Sequence, residues 1–434
     1  MMLARLALLT LCGWNVDPDP VALLARLSSS IPAERDEAAG ALEDLGRPAL
    51  PALYKARDTA HGDHARRVGE LINQIERRRL LRATQVRLDF DDRPLVEVVE
   101  AIRARSGFPL VLDADDAHKN RRINLRAPEP VAFWEALDRL AVAGGVRHRT
   151  ATPFAPPPRP LTIALIADDG PPFPTDHAGP FRVILARISR HRTVIPARPP
   201  SPAAVRESFT AVLHVFAEPG LAINGNGPPV LEAATDDRGQ DLRADSAPAR
   251  VYQPWPPRFD EEHAGTYQVS ILLRLPATPG RRIRRLKGFV PITVVAQTGG
   301  PLVVPVTGSN GTWFSGYGVE LTVKRLQRAE DTTTITLAFR GELPGPQVAP
   351  GTPPAPPGDF EPPFRFEDHI RILDEHDRPC GWWPGQQHRE PGSDLEVPLV
   401  VSSRSVGPPA RVLYHDLVGA ATEVVFEFTD QPLP

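Results

Sequence analysis

The chain has 434 residues, 41% hydrophobic and 24% charged, which is the balance of a globular protein with room for two to four domains that each bury a core. Its net charge of -3, with basic residues scattered along the chain, gives no electrostatic basis for a nucleic-acid partner, and no stretch approaches the roughly 20 apolar residues of a transmembrane helix. Two cysteines, Cys12 and Cys380, exclude a structural zinc site built on several thiolates, and the 51 prolines argue for loops and linkers rather than long helices.

The first 16 residues have the outline of an export leader: Arg5, the apolar run Leu6 to Leu9, then Thr10-Leu11-Cys12-Gly13. Leu9 to Cys12 resembles the bacterial lipoprotein cleavage box, in which Cys12 would carry a lipid anchor, although Leu11 stands where that box has a small residue. The expected location is the periplasm or cell envelope. Nearly all basic charge is arginine, with lysine only at Lys55, Lys119, Lys287 and Lys324, a composition of GC-rich bacterial genomes. A Cys12 to Cys380 disulfide would join the leader to the last domain and is not expected.

Residues 17–83 read as helices, with apolar stripes Val21, Leu24, Leu27 and Ala38, Leu42, Leu45, the second closed by Gly46, and Pro48 opening the next helix. The phrases RDEAAGALEDLGRPALPAL and HARRVGELINQI resemble HEAT-type repeats, which implies a protein-binding helical stack. One and a half to two such units fall short of the roughly three needed for independent stability, so the segment reads as a cap on its neighbour. His61 and His64, with Asp63 between them, could offer two metal ligands, but no third has recognisable spacing, and solvated loop residues are expected.

Residues 84–150 carry the clearest pattern. Val86, Leu88 and Phe90 alternate as in a strand, and Asp91 and Asp92 are cap candidates before Pro94, which would sit in the first turn of a helix. Leu95, Val98, Val99 and Ile102 form that helix's apolar face, and Ser106-Gly107 ends it. Short strands at Pro109 to Leu112 and Arg122 to Leu125 flank a polar loop from Asp113 to Asn120. A second helix runs from Val131 to Ala143 with Phe133, Trp134, Leu137, Leu140 and Ala141 inward, and Val146 begins a last strand. The order is β-α-β-β-α-β, with both helices able to cover one face of one sheet. VRLDFDDRPLVEVVEAIRARSGFPLVLD and INLRAPEPVAFWEALDRLAVAGGVRHR resemble the secretin and TonB short N-terminal domain. That resemblance implies a periplasmic interaction module without catalytic residues. Asp113, Asp115 and Asp116 form an acidic loop lacking the glycine and glutamate of an EF-hand, so a solvated tip is expected.

A Pro-rich linker at 151–160 leads into strand patterns. Residues 161–298 read as one β-sandwich, with strands at Leu161 to Ala167, Phe181 to Ser189, Phe209 to Phe216, Tyr267 to Leu275 and Phe289 to Ala296. Residues 299–434 read as a second, with a Pro-rich insert at 341–363 and strands at Leu302 to Val306, Gly318 to Val323, Thr332 to Arg340, Phe366 to Leu373, Leu395 to Val401, Arg411 to Leu413 and Glu423 to Phe428. The whole order resembles exported multidomain proteins of planctomycete-type bacteria, a resemblance that carries no residue roles.

In this half Asp374, Glu375, His376 and Asp377 gather acid/base groups in what reads as a hairpin turn. Ser315, in Phe314-Ser315-Gly316-Tyr317-Gly318, is the nearest approach to a nucleophile elbow and reads as a turn between strands. Gly225-Asn226-Gly227 is no dinucleotide fingerprint. Trp382-Trp383, Trp255 and Trp313 could form an aromatic platform, with core packing the ordinary use of such rings. Asn310-Gly311-Thr312 matches a glycosylation acceptor.

The fold class expected is therefore multidomain: an α-helical HEAT-like cap, a small α+β domain and all-β sandwiches. The expected function is a non-enzymatic exported envelope protein that binds a protein partner or serves as a structural module, with no catalytic, cofactor or metal residues. One alternative is a periplasmic accessory of an outer-membrane secretion or uptake channel. The other is an enzyme whose site is assembled between the sandwiches from scattered His and Asp residues.

Overall fold

A computed structural model of the chain describes residues 19–57, 62–148, 163–195, 204–226, 228–244, 266–308, 311–317, 319–340, 366–385, 394–402 and 407–434. The leader with Cys12, His61, the 151–160 linker, Trp255, Asn310 and the 341–363 insert lie outside the described residues. The chain divides into two compact units, one ending at Arg79 and the other beginning at Leu80, and its broad class is α+β with long strand-rich regions.

The first unit consists of α1 (Pro20–Leu27), α2 (Pro32–Leu45), α3 (Leu50–Arg57) and α4 (Gly62–Leu80). Pro20 and Pro32 open their helices, where a missing amide hydrogen costs nothing, and the Asp19 side chain accepts from Val21 N at 3.0 Å. Leu23, Leu27, Leu42, Leu53, Val68 and Ile72 are among its buried side chains. The α1 stripe is rotated from the expected one: Leu23 and Leu27 point inward, Leu24 is partly covered and Val21 is exposed. PVALLARL is apolar on too many sides for spacing alone to choose a face. Buried Glu76 is satisfied by Tyr54 Oη (2.9 Å) and Arg79 Nε (2.6 Å).

The second unit opens with β1 (Gln85–Val86), β2 (Asp89–Pro94), α5 (Leu95–Ser106), β3 (Leu110–Asp113), α6 (Asp116–Lys119), β4 (Arg122–Arg126), β5 (Val131–Ala132), α7 (Phe133–Gly144) and β6 (Val146–His148). All four predicted α5 positions are buried, and Gly107 closes the helix with φ +73°, a conformation that costs glycine little. The α7 face is as expected, with Phe133, Trp134, Leu137 and Leu140 buried.

Three details differ from the sequence reading. Asp91 and Asp92 do not cap α5, because β2 runs on to Pro94; Asp92 pairs with Arg122 and Asp91 with Arg126 across β4. The polar loop contains α6, capped by Asp115, whose carboxylate accepts from His118 N. Lastly, the strands form three small sheets around one core: β1 with β5, β2 with β4, and β3 with β6 through β7 (Ile163–Ala167). β7, expected to begin the next region, pairs parallel to β3 and antiparallel to β6 and buries Ile163 and Leu165 in the α+β core.

The rest is β8 (Thr175–Ala178), β9 (Phe181–Ile195), β10 (Ala204–Ala217), β11 (Ala222–Asn226), β12 (Val230–Asp236), β13 (Thr266–Leu273), β14 (Arg282–Pro305), β15 (Phe314–Gly316), β16 (Val319–Arg328), β17 (Thr332–Arg340), β18 (Ile370–Asp374), β19 (Trp382–Pro384), β20 (Leu395–Ser402) and β21 (Pro409–Pro432). One sheet has the order β13-β10-β9-β8, another β15-β16-β17-β20-β19. A third, β11-β14-β21-β18 with β12 beside β14, supplies side chains to the cores of both.

The same arrangement occurs twice. The β8/β9/β10/β13 path matches β15/β16/β17/β20, and each copy has one bulged residue, Ala186 opposite Val212 and Leu213 in the first and Lys324 opposite Thr336 and Leu337 in the second. β12 pairs with β14 as β18 does with β21. After β12, Asp236 accepts from Arg238 N, Gln240 N and Gly280 N; after β18, Asp374 accepts from His376 N, Arg378 N and Gly407 N. The positive-φ residue of this turn is Gly239 in one copy and Asp377 in the other. Sequence reading did not reveal the repeat.

β14 and β21 tie the copies together. The beginning of β14 lines the first core and its end, with Val304, lines the second; β21 starts in the second core with Val412 and Tyr414 and finishes in the first with Val424, Phe426 and Phe428. The two strands pair antiparallel from Arg282 opposite Pro432 to Pro305 opposite Arg411. The separate strands expected at Phe289 to Ala296 and Leu302 to Val306 are thus one, as are those at Arg411 to Leu413 and Glu423 to Phe428, and position 298 lies inside a strand. A register shift between Thr298 and Leu302 absorbs the Gly299-Gly300-Pro301 break.

Asp374 is fully buried. Burial alone would raise its pKa, but hydrogen bonds from Arg378 N and Nε, His376 N and Gly407 N outweigh it and bring the carboxyl down to about 2. Its contribution to stability is present above the unfolded carboxyl value near 3.9 and is lost as pH falls toward 2. Asp374→Ala is expected to lower Tm by on the order of 5 °C at pH 7 and by much less at pH 2.5, as read by scanning fluorimetry or calorimetry.

Candidate functional site

One set of acid/base side chains lies where the α+β module meets the first β copy. Asp138 comes from α7, His148 from β6, His177 from β8 and Arg182 from β9. Phe181, Val183 and Leu185 of β9 face the β core, so Arg182 and Ile184 face the other way, toward α7. Ile184 and Phe216 belong to the α+β core, and Phe216 lies beside Trp134 with 6.0 Å between their ring centroids.

Arg182 reaches Asp138 with two nitrogens, Nε at 2.9 Å from Oδ2 and Nη2 to Oδ1, and its guanidinium lies over Trp134 and Phe216 at 5.8 and 5.9 Å. His177 Nε2 donates to Asp138 Oδ2 at 2.7 Å. His148 packs its ring edge-on against Phe216 at 5.4 Å. Burial first, and the Arg182 charge second, push its pKa down to about 4 against the pull of Asp138. Nearby, Glu218 is buried and accepts from Thr84 N and Thr84 Oγ1 (2.7 Å), and burial raises its pKa despite these bonds.

The His177 to Asp138 distance is that of a histidine-carboxylate dyad, but both Asp138 oxygens are engaged by Arg182, and no Ser, Thr or Cys contact is seen at His177 among the described residues. What this geometry does is neutralise one buried cation and fasten a helix to a sheet. The corresponding positions in the second β copy are Glu320, Thr322 and Arg340, and Glu320 and Arg340 are exposed, so that copy offers no apolar face to a second α+β module.

A second cluster lies where β21 passes between the two cores. His369 Nδ1 donates to the His415 carbonyl at 2.7 Å, its ring stacks on Tyr414 at 5.2 Å, and Thr298 Oγ1 donates to Asp416 Oδ2 at 3.2 Å. Burial, then Arg371 and His369, hold the His415 pKa down to about 4. Burial lowers the His369 pKa, against the His415 carbonyl bond and the nearby Asp416 charge.

The residues singled out in the sequence are dispersed. His64 lies beside Ser28 Oγ (3.2 Å) and Asp63 pairs with Arg66 (3.3 Å). Asp115 serves as a cap, and Asp116 lies by Lys119 at 3.9 Å. Asp374 to Asp377 form the expected turn, with Asp377 paired to Arg411 and His376 lying 3.7 Å from Glu375. Ser315 lies in β15, its Oγ 3.4 Å from Glu320. Trp382 packs on the second core, Trp383 is 43% exposed, and Trp313 is covered by the Arg340 guanidinium at 3.8 Å, so these rings share no platform. No group of three His, Cys, Asp or Glu suited to a metal occurs among the described residues. An open cleft of about 510 Å³, lined by Gln240, Asp241, Arg274 and Leu275 to Thr278, shares no residue with either histidine cluster.

No protein-family model matches the chain, and comparison with curated proteins and with solved structures gives no match.

The buried neutral histidines predict acid lability. With His148 near 4 when folded and near 6.5 when unfolded, the unfolded chain binds the extra proton between those values, so stability is lost as pH falls from about 6.5 to 4. Urea unfolding at pH 7 and pH 4.5 should differ by about 2 kcal/mol from this residue, and His148→Phe should flatten the dependence.

Proposed function

We propose that the chain is a non-enzymatic, exported envelope protein that works by protein-protein contact, built from a HEAT-like helical segment, a short secretin-like α+β module and two β-sandwiches. The observation that carries this reading is the use made of the Asp138, Arg182 and His177 cluster. The best-placed acid/base groups join one module to the next, with both carboxylate oxygens occupied. Together with the strands shared between the β copies, this produces a second unit whose surfaces hold fixed relations, as a recognition scaffold requires.

The test has two arms. Fractionation of source cells with mass spectrometry of the mature N-terminus should find the protein in the envelope, cleaved before about Asp17. Site-specific photo-crosslinkers spread over the exposed faces of the full chain should yield discrete protein adducts in those cells. An intact Met1 in the cytosol, or a turnover abolished by a single polar-to-Ala change, would overturn the reading.

A further inference from the structure

At the joint between the α+β module and the first β copy, Arg182 and His148 rest on the same two rings. The guanidinium lies 5.8 Å from Trp134 and 5.9 Å from Phe216, and the imidazole lies 5.6 and 5.4 Å from them. A fixed cation and a titratable ring thus share one aromatic floor. His148 Nδ1 is shielded from solvent and has no hydrogen-bond partner among the described residues.

Each element packed around His148 brings its own groups. α7 brings Asp138, whose two oxygens already accept from Arg182 of β9 and His177 of β8. β10 brings His214, its ring 6.3 Å from that of Phe216, and Glu218 follows, held by Thr84. β7 brings no charge, Leu165 being the residue opposite His148, and Arg147 on β6 points to the other face, where it pairs with Asp168. A proton on His148 therefore adds a buried positive charge where Asp138 and Glu218 are both already engaged.

The two bodies keep separate cores. The α+β core is built by α5, α7 and the small sheets, the first β core by the inward faces of its own strands, and the β copy lends the α+β core only Ile184 and Phe216. Parting them uncovers Trp134, Ile184 and Phe216, far less than opening either core.

We propose that this joint is an acid-operated latch: a proton on His148 lifts the α+β module off the β9–β10 face while both modules stay folded. The latch concerns how the scaffold opens and not what it binds, so it stands or falls apart from the protein-binding reading. With His148 near 4 when docked and near 6.5 once in water, the undocked state binds the extra proton, and its population rises about 20-fold between pH 7 and pH 5. His214, also lowered by burial, acts in the same sense, and Glu218, raised by burial, acts against it.

The test is thiol labelling by 4,4′-dithiodipyridine in the full chain carrying Cys12→Ser, each rate divided by that of the same thiol in urea at the same pH. Buried Cys380 is the common background. Ile184→Cys places a thiol in the joint, its neighbour Val183→Cys one in the first β core, and Val98→Cys one in the α+β core. The joint thiol should label about ten-fold or more faster than either core thiol at pH 5, and its rate should rise about 20-fold from pH 7 to pH 5. With His148→Phe most of that rise should vanish, and His148→Gln checks the same point with a smaller uncharged side chain. Joint and core thiols that label together would mean that the chain opens only as a whole. That result, a joint rate flat between the two pH values, or a rise that survives both His148 variants would overturn the latch.

Discussion

Removing residues 417–434 should unfold the first β copy, although that copy's other strands are all complete by Pro305. Those residues bury Leu417, Val418, Ala420, Val424, Phe426 and Phe428, and most of them lie in the first core beside β14. At about 1.5–3 kcal/mol for each large side chain, the loss is on the order of 10 kcal/mol, comparable with the whole stability of a domain. Hydrogen exchange should show protection lost across β9 to β14 in the truncated chain. Protection that survives there would mean that β14 needs no partner from β21.

The second large effect is expected at Asp138. Its partner Arg182 has a side chain only 10% exposed and lies over two aromatic rings, so Asp138→Ala would leave a buried guanidinium without a counter-charge and His177 without its acceptor. Breaking a pair of this kind costs about 3–5 kcal/mol, whereas replacing both partners by apolar residues of similar volume is close to neutral. Asp138→Ala should therefore loosen the α+β module, seen as faster exchange in α7 and β8, and Asp138→Leu with Arg182→Met should restore most of the loss. A double variant as unstable as the single would show that the joint depends on its hydrogen bonds rather than on charge balance.

The helix faces of α5 and α7 could be read directly because a 3.6-residue period with a glycine stop admits one solution, whereas α1 offered several. The strands were legible by alternation, but not their continuity. Gly299-Gly300-Pro301 in β14 and the small residues Gly419-Ala420-Ala421 in β21 look like breaks, and only the pairing of one strand with the other carries both past them. The repeat was hidden because its turn is built from backbone amides around one carboxylate. Asp236 and Asp374 are all that the two five-residue stretches need to share in order to fold alike, so Asp237 to Gln240 and Glu375 to Arg378 were free to diverge. Of the candidate site, one signal was available. Arg182 interrupts the apolar run from Phe181 to Leu185, and a charge inside a strand covered on both faces demands a partner. Which partner it finds depends on how α7 lies against β9, and local spacing does not encode that.

The pairing of β14 with β21 also sets an order of events during synthesis. Leu417 leaves the ribosome more than a hundred residues after Pro305, a delay of roughly 6–20 s at ordinary elongation rates. Throughout that interval β14 has no β21 beside it, and it presents an apolar strand edge of the kind that pairs with the wrong chain. The nascent first copy is therefore expected to need chaperone cover until β21 emerges, and slowing translation between 306 and 416 should raise aggregation without altering the finished protein's stability.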